Sequence, residues 1–195
     1  MARPASFFGS GLVAHVSLAD PVCARLSGLA AAAVARAGGQ VAERATYLAM
    51  EGPQFSTRAE SRLFRDWHCD VIGMTAMPEA RLAREAELPY ALVAMVTDHD
   101  SWRTDEVAVD AAAVIAQAAA NGAVARRTVA AFCASLPPAR APSPIDRALD
   151  GAIMTAPAER DPALVARNAA ILARLDRCAV SDPAPVRSAS RDHAR

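Results

Sequence analysis

The alternation of helix-like and strand-like segments along the chain predicts an α/β fold. Residues 22–37 form an apolar, Ala-rich run that begins after a proline and stops at two glycines, as a helix does. Short apolar runs at 44–50 and 70–74 predict strands. The longer run at 88–97 is typical of a strand buried on both faces of a parallel sheet. Further elements are expected as a short apolar strand at 11–16 and helices at 58–67, 78–87, about 106–134, 145–153 and 162–175.

The strand-like segments are few for a chain of 195 residues, and all of them end before Asp98. Either further strands are hidden in the pattern, or the sheet includes more chain than this one. A Pro-rich segment, LPPARAPSP at residues 136–144, divides the chain. We expect a core over residues 1–135, a helical extension over 136–180 and a disordered tail over 181–195, which is rich in Pro, Arg and Ser.

Charge and composition exclude several classes of protein. The 21 basic residues cancel the 21 acidic ones, whereas a general nucleic-acid binder needs a basic surface. The apolar stretch at 107–126 is interrupted by polar residues, so we expect a packed helix and not a membrane span. The first residues lack a signal-peptide pattern. The four cysteines lie far apart without metal-ligand spacing, so we expect buried, reduced thiols in a cytoplasmic protein.

Polar segments follow three of the predicted strands: residues 51–58, 73–75 and 97–102. Ligands of open α/β sheets bind at the carboxyl ends of the strands. We therefore expect these three segments to meet at one edge of the sheet and to form a binding site.

Asp98 and Asp100 are the carboxylates that directly follow the most apolar strand. A half-buried Asp with a raised pKa is able to donate a proton to a heteroatom of a ligand. The same residues also favour the capping of a turn. A pair of the form D-x-D also suits a divalent cation, but no other clustered acids or histidines support that interpretation.

Other candidate residues carry a functional and a structural interpretation side by side. Phe55 in its polar loop suits either stacking on a flat ligand or a core contact. Thr75, before a predicted helix, suits either anion binding or a simple turn. Met74 and His15, taken alone, are typical of packing.

The run TYLAMEGPQFSTRAESRLFRDWHCDVIGMTAMPEARLAREAELPYALVAMVTDHDSW, residues 46–102, resembles the methylthioadenosine phosphorylases of the trimeric purine nucleoside phosphorylase group. The segment HVSLADPVC at residues 15–23 continues the resemblance, which covers roughly residues 5–135. The segment ALDGAIMTAP at residues 148–157 resembles the C-terminal extension of bacterial members. The implied fold is the C-terminal portion of a phosphorylase/hydrolase-like three-layer fold with a mixed central sheet, plus C-terminal helices.

The resemblance implies phosphorolysis of 5′-methylthioadenosine to adenine and 5-methylthioribose 1-phosphate. Phosphate is then a co-substrate, no cofactor or metal is needed, and the protein is a homotrimer. Asp98 is the implied acid at purine N7, and Asp100 reads the 6-amino group, since carboxylates accept from such a donor. The other implied substrate contacts are Phe55 on the base, Ser56 at a specificity position, His99, Met74 along the ribose, Thr75 on phosphate, Ala111, Val114 and Ile115 on the methylthio side, and His15 reaching a neighbouring subunit's site.

The family resemblance also shows a difference. Full-length relatives carry an N-terminal portion with the first strands, a Gly-rich phosphate loop and an Arg-His pair, and we find neither loop nor pair in this sequence. One alternative is therefore a catalytically incomplete remnant of the enzyme, because Thr75 alone is a poor clamp for a dianion. Another alternative is a related phosphorylase of 6-oxopurines, against which Asp98 and Asp100 argue.

Overall fold

The computed structural model describes residues 3–103 and 111–181, with side chains up to residue 177. The described residues form two compact units, one of residues 3–7 and 16–148 and one of residues 8–15 and 149–181. The predicted boundary after residue 135 lies inside the first unit, so that division of the chain stays a prediction. The predicted disordered tail, 181–195, lies outside the described residues, apart from Ser181 at the end of a helix.

The first unit confirms the predicted order of helices and short strands over its first part. Its third helix begins two residues before Pro78, where the sequence pattern placed the start. The helix predicted from about residue 106 is described from Ala111, since residues 104–110 lie outside the described ranges. The elements are α1 (Ala24–Arg36), β1 (Tyr47–Ala49), α2 (Arg58–Asp66), β2 (Val71–Gly73), α3 (Ala76–Glu85), a 3₁₀ turn (Asp100–Trp102), α4 (Ala111–Ser135) and a second 3₁₀ turn (Pro144–Arg147).

Strands β1 and β2 form a two-stranded parallel sheet in which Leu48 pairs with Ile72. The amide of Met50 donates to the carbonyl of Gly73 at 2.9 Å, which extends the pairing by one residue. Because the strands are parallel, the residues that follow them, Glu51 and Met74, lie at the same edge of the sheet.

Residues 88–97 form neither strand nor helix, so the prediction of a doubly buried strand there is wrong. Val93, Met95 and Val96 are 42%, 37% and 63% exposed. A strand is defined by its hydrogen-bond ladder, and the described part of the chain pairs no strand with this segment. The apolar pattern identified a segment suited to a sheet interior but carried no information on its partner strands.

Helix α4 packs against α1, and this pairing forms the helical core of the first unit. Ala33 and Val34 of α1 are buried, and the Arg127 guanidinium of α4 donates to the carbonyl of Ala37 at 3.0 and 3.1 Å. The rest of α4 is open: Ile115 is 68% exposed. The predicted packed helix is therefore packed along one face only. No helix among the described residues is long and apolar enough to cross a membrane.

The second unit has a small core in which Leu12, Leu149 and Leu172 are buried. Ala14 bridges to Ile153, so the 11–16 segment forms isolated bridges and no strand. The helix predicted at 145–153 is absent beyond the second 3₁₀ turn. The one predicted at 162–175 is divided at Asn168. The helices of this unit are a 3₁₀ turn (Pro157–Glu159), α5 (Pro162–Arg167) and α6 (Ala169–Ser181).

The burial of the cysteines agrees only in part with the expectation of buried thiols. Cys23 is buried, Cys69 is half-buried and Cys133 is exposed, and all three are free thiols. The expectation of a buried thiol is therefore wrong for Cys133, because it lies on an open part of α4. The side chain of Cys178 lies outside the described set.

The ion pair between Arg140 and Asp146 makes the stability of the first unit depend on pH. The Arg140 guanidinium donates to Asp146, and the amide of Ser143 donates to the same carboxylate at 2.8 Å. These bonds, that of Arg140 first, lower the pKa of Asp146 to about 2. Since the folded-state pKa is below the ordinary value, the stabilisation is present above about pH 4 and is lost as the pH falls towards 2.

We therefore expect Asp146→Asn to be less stable than the wild type at pH 7 and nearly equal to it at about pH 2. The measurement is the urea midpoint of both proteins at a series of pH values, with Asp66→Asn on the exposed end of α2 as the control. A stability difference that stays constant across this pH range contradicts the assignment.

Candidate functional site

The edge at which β1 and β2 end is formed by a turn on one strand and a methionine on the other. Gly52 has φ +67°, in the region that favours glycine. A Cβ on Gly52 would lie 2.5 Å from Sδ of Met74, so the Met74 thioether lies directly against this turn. The two polar segments that follow β1 and β2 therefore meet, as the sequence predicts.

Arg3 contacts both of these segments. Its guanidinium donates to the carbonyl of Met74 and lies 3.7 Å from the Glu51 carboxylate. Sequence analysis missed this residue, because Arg3 and Met74 are 71 positions apart and no local motif marks the first. Arg3 therefore places a cation beside the strand ends, at the carbonyl of the residue that precedes Thr75.

Thr75 stands at the N-cap of α3 and is exposed. Its side chain makes no cap hydrogen bond to the helix, so the hydroxyl is not occupied by a capping role. Helix N-termini favour anions. Met77 departs from helical geometry, with φ −115° and ψ 133°, so the regular part of α3 starts after it.

The loop that carries Phe55 and Ser56 leads into α2. Phe55 is 44% exposed, which excludes the core-contact interpretation, while Ser56 is buried, with its hydroxyl 3.9 Å from Sδ of Met50. Thr57 and Glu60 form a reciprocal capping box at the start of α2. The amide and hydroxyl of Thr57 donate to the Glu60 carboxylate at 2.7 Å and lower the pKa of Glu60. The position of Phe55 and Ser56 is therefore set by a well-capped helix.

The two N-cap threonines are expected to contribute unequally to stability. Thr57→Ala removes a capping hydrogen bond, so we expect it to lower the free energy of unfolding by about 1 kcal/mol. Thr75→Ala removes no cap bond and is expected to change stability little. Urea denaturation of both variants measures the difference. Equal losses of stability, or a larger loss for Thr75→Ala, contradict these cap assignments.

The segment after residue 97 turns tightly around Asp98. One oxygen of its carboxylate accepts from the amide of Asp100 at 2.8 Å and the other from the hydroxyl of Thr97 at 2.7 Å. Asp100 has φ +56°, which is uncommon outside glycine. The turn-capping interpretation of Asp98 is thus confirmed. The expected half-burial is wrong for Asp98, which is exposed, and fits Asp100.

A cleft of about 440 Å³ lies beside this turn, between α2, β2 and residues 94–102. Its lining includes Asp98, His99 and Asp100 together with Arg65 of α2 and Trp102. Two carboxylates beside one cleft suit the amino edge of a polar heterocycle, because carboxylates accept from such donors. No group of three His, Cys, Asp or Glu residues that is able to hold a metal ion occurs among the described residues.

The loop that carries Phe55 and Ser56 is hydrogen-bonded to the tight turn of residues 98–103, called the aspartate turn below. The hydroxyl of Ser101 donates to the carbonyl of Ser56 at 3.2 Å, and the Arg58 guanidinium donates to the carbonyl of Arg103 at 2.9 Å. The structure therefore brings Ser56 to the Asp98–Asp100 turn and, separately, Met74 to Gly52.

The remaining predicted site residues take part in none of these contacts. Ala111, Val114 and Ile115 occupy the first turns of α4, where Ala111 and Ile115 are exposed. His15 belongs to the second unit and is exposed, and its amide donates to the carbonyl of Ala152 at 2.9 Å. The packing interpretation of the His15 side chain is therefore not supported.

Residues 1–134 match the model of the phosphorylase superfamily. The chain therefore belongs to this superfamily, with its helices and a small parallel sheet. It is 57% identical to the S-methyl-5′-thioadenosine phosphorylase of Cereibacter sphaeroides, over 89% of this chain and 61% of that protein. It is 49% identical to the enzyme of the same name from Bradyrhizobium diazoefficiens, over 89% of this chain and 60% of that protein.

A solved structure of a methylthioadenosine phosphorylase is also similar to this chain. The crystal structure of a methylthioadenosine phosphorylase from an Antarctic soil metagenomic library superposes with a TM-score of 0.72 and 42% identity, covering 87% of this chain and 60% of that one. This chain thus spans about three fifths of the length of these relatives.

Proposed function

We propose that the protein catalyses the phosphorolysis of 5′-methylthioadenosine, giving adenine and 5-methylthioribose 1-phosphate. The observation that carries the proposal is the 57% identity to a methylthioadenosine phosphorylase across 89% of this chain. An oxygen of phosphate attacks C1′, the C1′–N9 bond breaks, and its electron pair passes to the purine. A proton delivered to N7 neutralises the leaving base.

Asp98 and Asp100 are the proposed purine contacts. In its protonated form Asp98 donates to N7, and Asp100 accepts from the 6-amino group. The cleft that contains both carboxylates supports these roles. Phe55, which is 44% exposed, is proposed to stack on the base. The proposed set is completed by Ser56, His99, Met74 along the ribose, and Ala111, Val114 and Ile115 around the methylthio group.

Thr75 is the proposed phosphate ligand, supported by its exposed hydroxyl at the start of α3. A phosphate dianion favours several donors and a cation. Arg3 supplies a cation on this segment, since its guanidinium donates to the carbonyl of Met74, the residue before Thr75. The reaction as proposed uses no cofactor and no metal ion, since phosphate is itself the nucleophile.

A second candidate is a nucleoside-binding remnant without a complete phosphate site. Its motivation is that Thr75 and Arg3, the donors proposed for phosphate, are few for a dianion that favours several donors. The two candidates share the purine site and differ in phosphate-dependent turnover. A phosphorylase of 6-oxopurines is disfavoured, because Asp100 is the proposed contact of the purine 6-position and a carboxylate accepts from an amino group, not from an oxo group.

We further propose a cytoplasmic homotrimer in which His15 reaches the site of a neighbouring subunit. The exposed imidazole of His15 supports a role outside its own unit. The free thiols of Cys23, Cys69 and Cys133 support this compartment, since disulfides are rare in the cytosol. The parallel pair β1–β2 is proposed as part of a mixed central sheet in a three-layer fold, with residues 136–180 as a helical extension.

The experiment compares 5′-methylthioadenosine with 5′-methylthioinosine as substrates of the full chain in phosphate buffer, with product bases separated by chromatography. The proposal expects adenine release to exceed hypoxanthine release. Preferred cleavage of methylthioinosine contradicts the assignment of Asp98 and Asp100.

A further inference from the structure

Helix α2 contacts the aspartate turn at both of its ends, through Arg65 near its C-terminus and Arg58 at its N-terminus. Near the end of α2, the guanidinium carbon of Arg65 lies 3.8 Å from the centre of a Trp102 ring, which is a close cation–π contact. Trp102 in turn lies edge-on to His99, with ring centres 6.2 Å apart. The side chain of Arg65 therefore covers the aromatic end of the turn that begins at Asp98.

At the other end of α2, Arg58 donates to the carbonyl of Arg103, and the hydroxyl of Ser101 donates to the carbonyl of Ser56, just before the helix. The turn is thus held against α2 at residues 101, 102 and 103. The hydrogen bond from the amide of Asp100 to the carboxylate of Asp98 then ties that carboxylate to the backbone next to these anchored residues.

We propose that Arg65 is a positioning residue for Asp98 and Asp100. Arg65 holds Trp102, and Trp102 belongs to the aspartate turn, so the turn keeps its position relative to α2. Phe55 and Ser56 are positioned by the capping box at the start of the same helix. This inference rests on the proposed function, since it concerns the two carboxylates that contact the purine. A planar guanidinium stacks on an aromatic face better than an ammonium does, so Lys is expected to replace Arg65 only in part.

The experiment compares Arg65→Met, Arg65→Lys and the control Arg62→Met, an exposed arginine about one turn earlier on the same helix. Three readouts are taken on the full chain. They are adenine affinity by calorimetry, hydrogen exchange of the peptide covering residues 98–103, and emission of Trp102 in a Trp67→Phe background.

We expect Arg65→Met to weaken adenine binding by about three- to fivefold, which is the size of a cation–π contact at an exposed site. We also expect faster exchange over 98–103 and a shifted Trp102 emission. Arg65→Lys falls between Arg65→Met and the wild type in all three readouts, and Arg62→Met matches the wild type.

Two results overturn the inference: Arg65→Met equal to Arg62→Met in every readout, or altered exchange and emission with unchanged adenine affinity. A wild-type chain that binds no adenine refutes the proposed purine site. In that case hydrogen exchange and Trp102 emission test whether Arg65 holds the turn. Values in Arg65→Met equal to those of the wild type show that it does not.

Discussion

Asp98→Asn is expected to lower kcat/KM for 5′-methylthioadenosine by about 10²–10⁴-fold, the range over which a positioned acid contributes to catalysis. The amide has no acidic proton for N7, so the leaving adenine departs with its charge unneutralised. The same amide donates to a 6-oxo group, and the preference between bases therefore moves towards 6-oxopurines.

The geometry of the turn makes this substitution a clean test. The side-chain oxygen of Asn is able to keep the bond from the amide of Asp100, and the Thr97 hydroxyl is able to rotate and accept from the new amide. The folded structure is therefore expected to persist, as checked by its urea midpoint. Asp66→Asn, on the exposed end of α2, is the matched control. Unchanged base preference and unchanged kcat/KM in Asp98→Asn refute the role of the acid.

Leu12→Ala has the largest expected effect on stability. Leu12 is fully buried in the second unit, whose core also includes Leu149 and Leu172. Removing a buried leucine side chain costs about 2–5 kcal/mol, because the lost apolar burial is joined by the cost of the cavity. Since His15 lies on the same short segment, loss of this core also releases the residue proposed to serve a neighbouring site.

The measurement is the free energy of unfolding from urea denaturation, with Met154→Ala as the control in the same unit. Met154 is 55% exposed, so its truncation is expected to change stability by less than about 0.5 kcal/mol. A loss for Leu12→Ala no larger than for Met154→Ala contradicts the position of Leu12 in the core.

Local signals in the sequence predicted the helices of the first unit well. Helix α1 ends at Arg36, next to the two glycines that marked its end in the sequence, and Gly38 takes φ +81° there. Such signals act over a few residues, so they are readable without tertiary structure. They fail at residues 88–97, where an apolar run needs partner strands that its own sequence does not specify.

The candidate site shows the same division between local and long-range information. The three strand-end segments were predicted to meet, and Gly52 lies against Met74 while Ser56 contacts Ser101. Arg3 and Arg65 were missed, because each acts on a residue that is distant along the chain. The exposure of Asp98 was also mispredicted, since burial depends on what packs over a turn and not on the turn itself.

The measurement that tests the central claim most directly is adenine release from 5′-methylthioadenosine by the purified full chain, with and without phosphate. The account predicts release that requires phosphate and that yields 5-methylthioribose 1-phosphate in equal amount. Absence of release in saturating phosphate, from a chain that still binds adenine, contradicts the proposed activity and favours a nucleoside-binding remnant.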